Sequence, residues 1–228
     1  MRTNLQWLFG WLAFAVLALG TLAPAAASSA EQRLVDQARI AVEQLRADPN
    51  LPIFPDLLAR AKAVLVVPEL VKAGFIIGGE GGSGVLLVRG AEADDWSYPA
   101  FYTMAAGSIG FQFGAQVSKA MFLIMTDGGL EALMSSNMTL GADASVAAGP
   151  IGAGIEAGTT FNVEADIYSF SHTKGLFGGL SFEGAVMVPD DEASEAYYGK
   201  PVTARGVVIH REVENAGADG LREALVSE

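Results

Sequence analysis

The chain has 228 residues, a formal net charge of −12, 27 glycines and no cysteine. Such acidity excludes the basic footprint that nucleic acid demands and disfavours simple electrostatic docking on anionic membranes. Without cysteine there is no disulfide framework, no thiolate metal site and no lipid-modified N-terminal cysteine.

Met1-Arg2, the apolar run Leu5 to Leu22 and the small-residue stretch Pro24 to Ser28 predict a secretory signal peptide over residues 1–27. An uncleaved membrane anchor is the alternative, because the run is nearly long enough to span a bilayer. The expected location is periplasmic. Residues 28–228 are then expected to form one domain, long enough to bury a substantial core.

Ser28 and Ser29 precede Glu31 in a capping arrangement. Leu34, Ala38, Ala41 and Leu45 follow at helical spacing, widened by Val35 and Val42. The polar side mixes Arg33, Asp36, Arg39, Glu43 and Arg46, which favours packing on the core over lying on a membrane. The helix is expected to end before Pro49, and a short helix is predicted over 56–62. Ala63 to Val67 reads as a buried strand stopped by Pro68. Gly74 to Ile77 and Gly84 to Val88 are two more strand candidates.

Between those two lies a G-x-G-x-x-G pattern, Gly79 to Gly84. A dinucleotide-binding loop must open a helix. Here Val85-Leu86-Leu87-Val88 continues as strand, and no Lys-Ser/Thr pair makes a phosphate loop. The stretch reads as a flexible glycine hairpin. Strands are predicted next at Phe101 to Met104, Ser108 to Val117 and Ala120 to Met125. A brief helix over Leu130 to Met134 follows a cap at Thr126-Asp127. The small-residue region Leu140 to Gly158 reads as two strands around Gly149-Pro150. Ala165 to Phe170 and Leu176 to Val188 complete the strands, and helices are predicted from Asp190 to Tyr198 and from Ala218 to Leu225. The fold class is α+β: a curved, mostly antiparallel, glycine-rich sheet or flattened barrel with N- and C-terminal helices.

Little in the chain could do chemistry. There are two histidines, His172 and His210, and no G-x-S-x-G nucleophile motif. Asp94-Asp95 and Asp190-Asp191-Glu192 lack calcium-loop spacing and read as solvated loops. An enzymatic reading would need a polar pocket of His172, Asp166 and Ser171. No catalytic residue, metal site or cofactor is expected.

The most distinctive stretch runs from Phe170 to Ala185, where Phe170, Phe177 and Phe182 need a covering layer. Read with Ala61 to Pro68, Lys72 to Phe75, Gly81 to Val88, Trp96 to Ala100, Gly141 to Pro150 and Tyr198-Gly199, it resembles the SYLF domain, in the same order along the chain. Lys174-Gly175-Leu176-Phe177-x-Gly179-x-Ser181-x-Glu183-Gly184 carries the resemblance most specifically. That family is known for lipid binding and, in yeast, for actin binding.

The resemblance implies a non-enzymatic lipid-binding protein, here an exported bacterial member for which actin is not the expected partner. Its partner would be phospholipid or a membrane surface. Lys174 is the first expected headgroup contact, followed by Lys72 and Lys62, with Phe177 as an apolar contact. The alternative is a structural or scaffolding module that binds another cell-envelope protein, through an exposed sheet edge.

Overall fold

The computed structural model describes residues 29–74, 77–92, 94–109, 114–149, 165–173, 176–178 and 182–226. The expected signal peptide lies outside them. So does the 150–158 half of the small-residue region.

Helix α1 (Ala30–Arg46) starts where Ser29 Oγ accepts the Gln32 N–H, 3.1 Å away. It buries Val35, Ala38, Ala41, Val42 and Leu45, the stripe its sequence spacing predicts. Helix α2 (Phe54–Arg60) carries Pro55 in its first turn, where a missing N–H costs nothing. Strands β1 (Ala63–Gly74), β2 (Ile77–Val88), β3 (Ala100–Ile109) and β4 (Gly114–Ile124) follow. Next come α3 (Asp127–Leu133), β5 (Met138–Thr139), β6 (Val146–Ala148), β7 (Ile167–Thr173), β8 (Leu176–Gly178) and β9 (Val186–Pro189). The chain closes with α4 (Asp191–Tyr198), α5 (Ala204–Val208) and α6 (Asp219–Ala224).

The strands form one curled sheet in the order β5-β9-β3-β2-β1-β4-β7-β6, with β8 added to β7. The described pairings are antiparallel except β6 with β7. The fold is therefore α+β with a mostly antiparallel sheet and helices at both ends.

Both faces of the sheet are covered. On one, Val64, Val66, Leu87, Phe101, Met121 and Leu123 pack against residues of α1, α2, α4 and α6. On the other, Leu65, Leu86, Tyr102, Met104, Phe122 and Met187 pack with Val207 and Val208 of α5. This is why Ala63 to Val67 is an unbroken apolar run rather than an alternating one. Phe170 and Phe182 do find their layers, but on opposite faces. Phe170 meets Phe54 edge-on at 5.2 Å, and Phe182 meets Phe122 at 5.0 Å.

Four expectations need correction. Strand β1 does not stop at Pro68 but runs on to Gly74. Its register shifts between Val67 and Leu70, a bulge that accommodates a residue with no N–H to donate. The glycine stretch is not a hairpin either; it lies inside the continuous strand β2. Ser108 to Val117 divides between β3 and β4, and Leu176 to Val188 between β8 and β9, which pair with different neighbours. Helix α5 was not anticipated; it is five residues long and opens on Thr203, whose Oγ1 accepts the Gly206 N–H.

Candidate functional site

The bulge in β1 lies beside a concave surface of the described chain. Val67 pairs with Ala120 and Leu70 with Ser118, so Pro68 and Glu69 together face Lys119 alone. Beyond the bulge Leu70 is buried in the face that α5 covers. Alternation then sets Val71, paired with Val117, on the face where α1 lies. Along its flank α1 presents Gln37, Ile40 and Gln44, three and seven residues apart and therefore on one side of the helix.

Between this flank and the strands lies a groove of about 480 Å³, lined by those three residues with Pro68, Glu69, Val117, Ser118 and Lys119. That volume falls in the range of about 300–1,000 Å³ usual for small-molecule sites. Ile40 is 41% exposed, Val117 48% and its strand partner Val71 46%. Five large hydrophobic side chains are exposed among the described residues; of these Ile40 and Val117 line the groove, and Val71 is the cross-strand partner of Val117. Scattered single apolar residues need no explanation, but a cluster beside a concavity marks a binding surface.

The polar rim is ordered. Lys119 Nζ donates to Gln44 Oε1 at 2.5 Å, and Gln37 Nε2 donates to Glu69 Oε1 at 2.9 Å. Ser118 Oγ points the other way and donates to the Leu70 carbonyl at 3.4 Å.

The lysines singled out from sequence do not converge here. Lys62 Nζ pairs with Asp127 Oδ1 at 2.6 Å, at the start of β1. Six residues separate it from Pro68, the nearest groove residue on that strand, roughly 20 Å of chain. Lys72 follows Val71 and so lies on the opposite face, in register with Glu80 and Gln116. Lys174 and the Phe177 side chain lie outside the described residues. The preceding Thr173 pairs with Ser118, so the backbone enters that segment beside the groove. Lys119, Ile40, Val71 and Val117 were not found from sequence. The available signal was Pro68 inside an apolar run, which a bulge in a continuing strand explains better than a stop.

The other candidate groups serve the fold. Asp166 accepts hydrogen bonds from Thr126 Oγ1 at 2.6 Å and from Ser145 Oγ at 2.7 Å and its N–H at 3.0 Å. These bonds, that from Thr126 foremost, hold its carboxyl below the usual range. His210 is exposed after α5, and the His172 side chain lies outside the described residues. Among the described residues no three His, Cys, Asp or Glu side chains are grouped to hold a metal, and no helix is long and apolar enough to cross a membrane. A larger cavity, about 750 Å³, lies beside the end of α6. There Arg46 donates to the carbonyls of Ala224 and Val226 at 2.7 and 2.6 Å, so this cation closes the C-terminal turn.

Fold and groove together define an α+β domain with a two-faced sheet and a surface concavity, and comparison with known proteins places it. Residues 105–228, more than half of the chain, match the Ysc84 family, described as "Las17-binding protein actin regulator". The chain belongs to this family, the SYLF domain of the sequence resemblance. It is 33% identical over 184 residues to LAS seventeen-binding protein 3 of Saccharomyces cerevisiae, covering 79% of this chain and 39% of the relative. SH3 domain-containing YSC84-like protein 1 of Rattus norvegicus is 31% identical over 183 residues, 80% of this chain and 53% of the relative. SH3 domain-containing protein PJ696.02 of Schizosaccharomyces pombe is 33% identical over 178 residues, with 77% and 41% covered. The chain thus spans about half or less of the length of these relatives.

Proposed function

We propose that this protein is a non-enzymatic, periplasmic phospholipid-binding protein whose lipid contact is the groove between α1 and strands β1 and β4. The observation that carries the reading is that Ile40 and Val117, exposed and apolar, line one concavity with a lysine at its rim, with exposed Val71 paired beside Val117. Burying such side chains against acyl chains stabilises a complex by roughly 25 cal/mol per Å² of apolar surface removed from water. Lys119 supplies a donor for a phosphate.

Co-sedimentation of the full chain with phospholipid vesicles tests this. The expected result is binding that falls at least tenfold in an Ile40→Glu, Val117→Glu double variant with unchanged thermal unfolding. Equal binding by the double variant would remove the groove from the account.

A second reading, a scaffold for another envelope protein, draws support from the name of the Saccharomyces cerevisiae relative, a protein that binds another protein, and from the family's description. Recovery of one stoichiometric protein partner, with no lipid in the purified material, would favour it.

A further inference from the structure

The groove holds one carboxylate and one ammonium that do not pair with each other. The bulge sets Glu69 opposite Lys119 on the neighbouring strand, where opposite charges ordinarily meet. Instead each is held by a glutamine of α1: Lys119 by Gln44 and Glu69 by Gln37. Among the described residues no ion pair joins Lys119 to Glu69. Gln37 and Gln44 are two turns apart, about 10 Å along the helix axis. The helix therefore keeps cation and anion separated at the rim of a concavity whose exposed apolar residues are Ile40 and Val117.

We infer that the groove recognises a zwitterionic headgroup, with the phosphate on Lys119 and a primary ammonium on Glu69. This rests on the lipid-binding reading and names its ligand class: phosphatidylethanolamine, with an acyl chain over Ile40, Val71 and Val117. Charge complementarity carries the choice. An ammonium at one point and a carboxylate at another match a ligand that bears both charges. A purely anionic headgroup would set its charge against Glu69 as well as Lys119, on a protein whose net charge is already −12. A primary ammonium donates N–H bonds to the carboxylate, and charge-assisted bonds of that kind are about twice as strong as neutral ones. The quaternary ammonium of phosphatidylcholine has no N–H to donate.

The test uses the full chain with three kinds of vesicle: phosphatidylcholine alone, equal parts phosphatidylethanolamine and phosphatidylcholine, and equal parts phosphatidylglycerol and phosphatidylcholine. Binding to the ethanolamine vesicles is expected to be about tenfold tighter than to phosphatidylcholine alone. Glu69→Gln is expected to abolish that preference, so that ethanolamine and choline vesicles bind equally. Lys119→Gln is expected to weaken binding to every composition. Glu69 is exposed and Lys119 partly so, so both variants are expected to unfold at the wild-type temperature. Equal binding to ethanolamine and choline vesicles, an unchanged preference in Glu69→Gln, or a preference for phosphatidylglycerol would overturn the headgroup assignment and leave lipid binding standing. Failure to bind any vesicle would overturn both.

Discussion

Gly82 lies so close to Glu69 that a Cβ added there would stand 2.3 Å from the Glu69 carbonyl oxygen. Gly84 is placed likewise, 2.7 Å from the Val66 carbonyl oxygen. The glycines of β2 thus clear space for the β1 bulge, and the bulge sets Glu69 against Lys119 and turns Val71 toward the groove. The pattern that imitates a nucleotide-binding loop is a packing device between two strands.

Gly82→Ala and Gly84→Ala are therefore expected to destabilise by about 1–3 kcal/mol each, as overpacked sites do. Gly107→Ala is the control, since nothing lies within 4 Å of its added Cβ; it should be neutral. Urea unfolding of the three variants reads the difference.

Asp166 ties the start of α3, the residue before β6 and the approach to β7 together through Thr126 and Ser145. Its folded-state pKa is depressed, so its contribution is present above the ordinary aspartate value and is lost as pH falls through the folded one. Asp166→Asn is expected to cost about 0.5–1.5 kcal/mol near neutral pH, the net worth of a hydrogen bond at a site that water can reach. Measured against pH, the gap between variant and wild type should narrow in acid.

Arg89 stacks over Trp96 at 4.2 Å and donates to the carbonyls of Ala61 and Leu58, at 2.9 and 2.8 Å. Lysine has neither the planar face nor the fork of donors. Arg89→Lys should lower stability by about 1–3 kcal/mol, read by chemical unfolding, with vesicle binding unchanged once the protein is folded.

Lys62 provides the opposite contrast. It is paired with Asp127 at an exposed site, six residues before Pro68, the nearest groove residue on its strand. Lys62→Ala should cost less than about 1 kcal/mol and leave vesicle binding at the wild-type level. Weakened binding would return Lys62 to the lipid site.

Much of this fold is written locally. The buried stripe of α1, the Asp190 cap that opens α4 and Gly199, which ends it at a φ of 71°, all follow from spacing and residue type within a few positions. The passage of β1 through Pro68 and of β2 through its glycines does not. Each is a breaker read alone, and only the other strand shows why it is tolerated. The groove was hidden for the same reason. Lys119 is one lysine at the edge of an apolar run until register places it opposite Glu69 and beneath Gln44. The motif lysines were chosen by sequence resemblance, which carries no information on faces, and Lys72 proved to lie on the side of the sheet away from α1.

Native mass spectrometry with lipid extraction, on protein purified from the cells that make it, tests the central claim most directly. The account predicts a co-purifying phospholipid that is lost from the Ile40→Glu, Val117→Glu variant. A lipid-free wild-type protein that also ignores vesicles would contradict it and move the function to a protein partner.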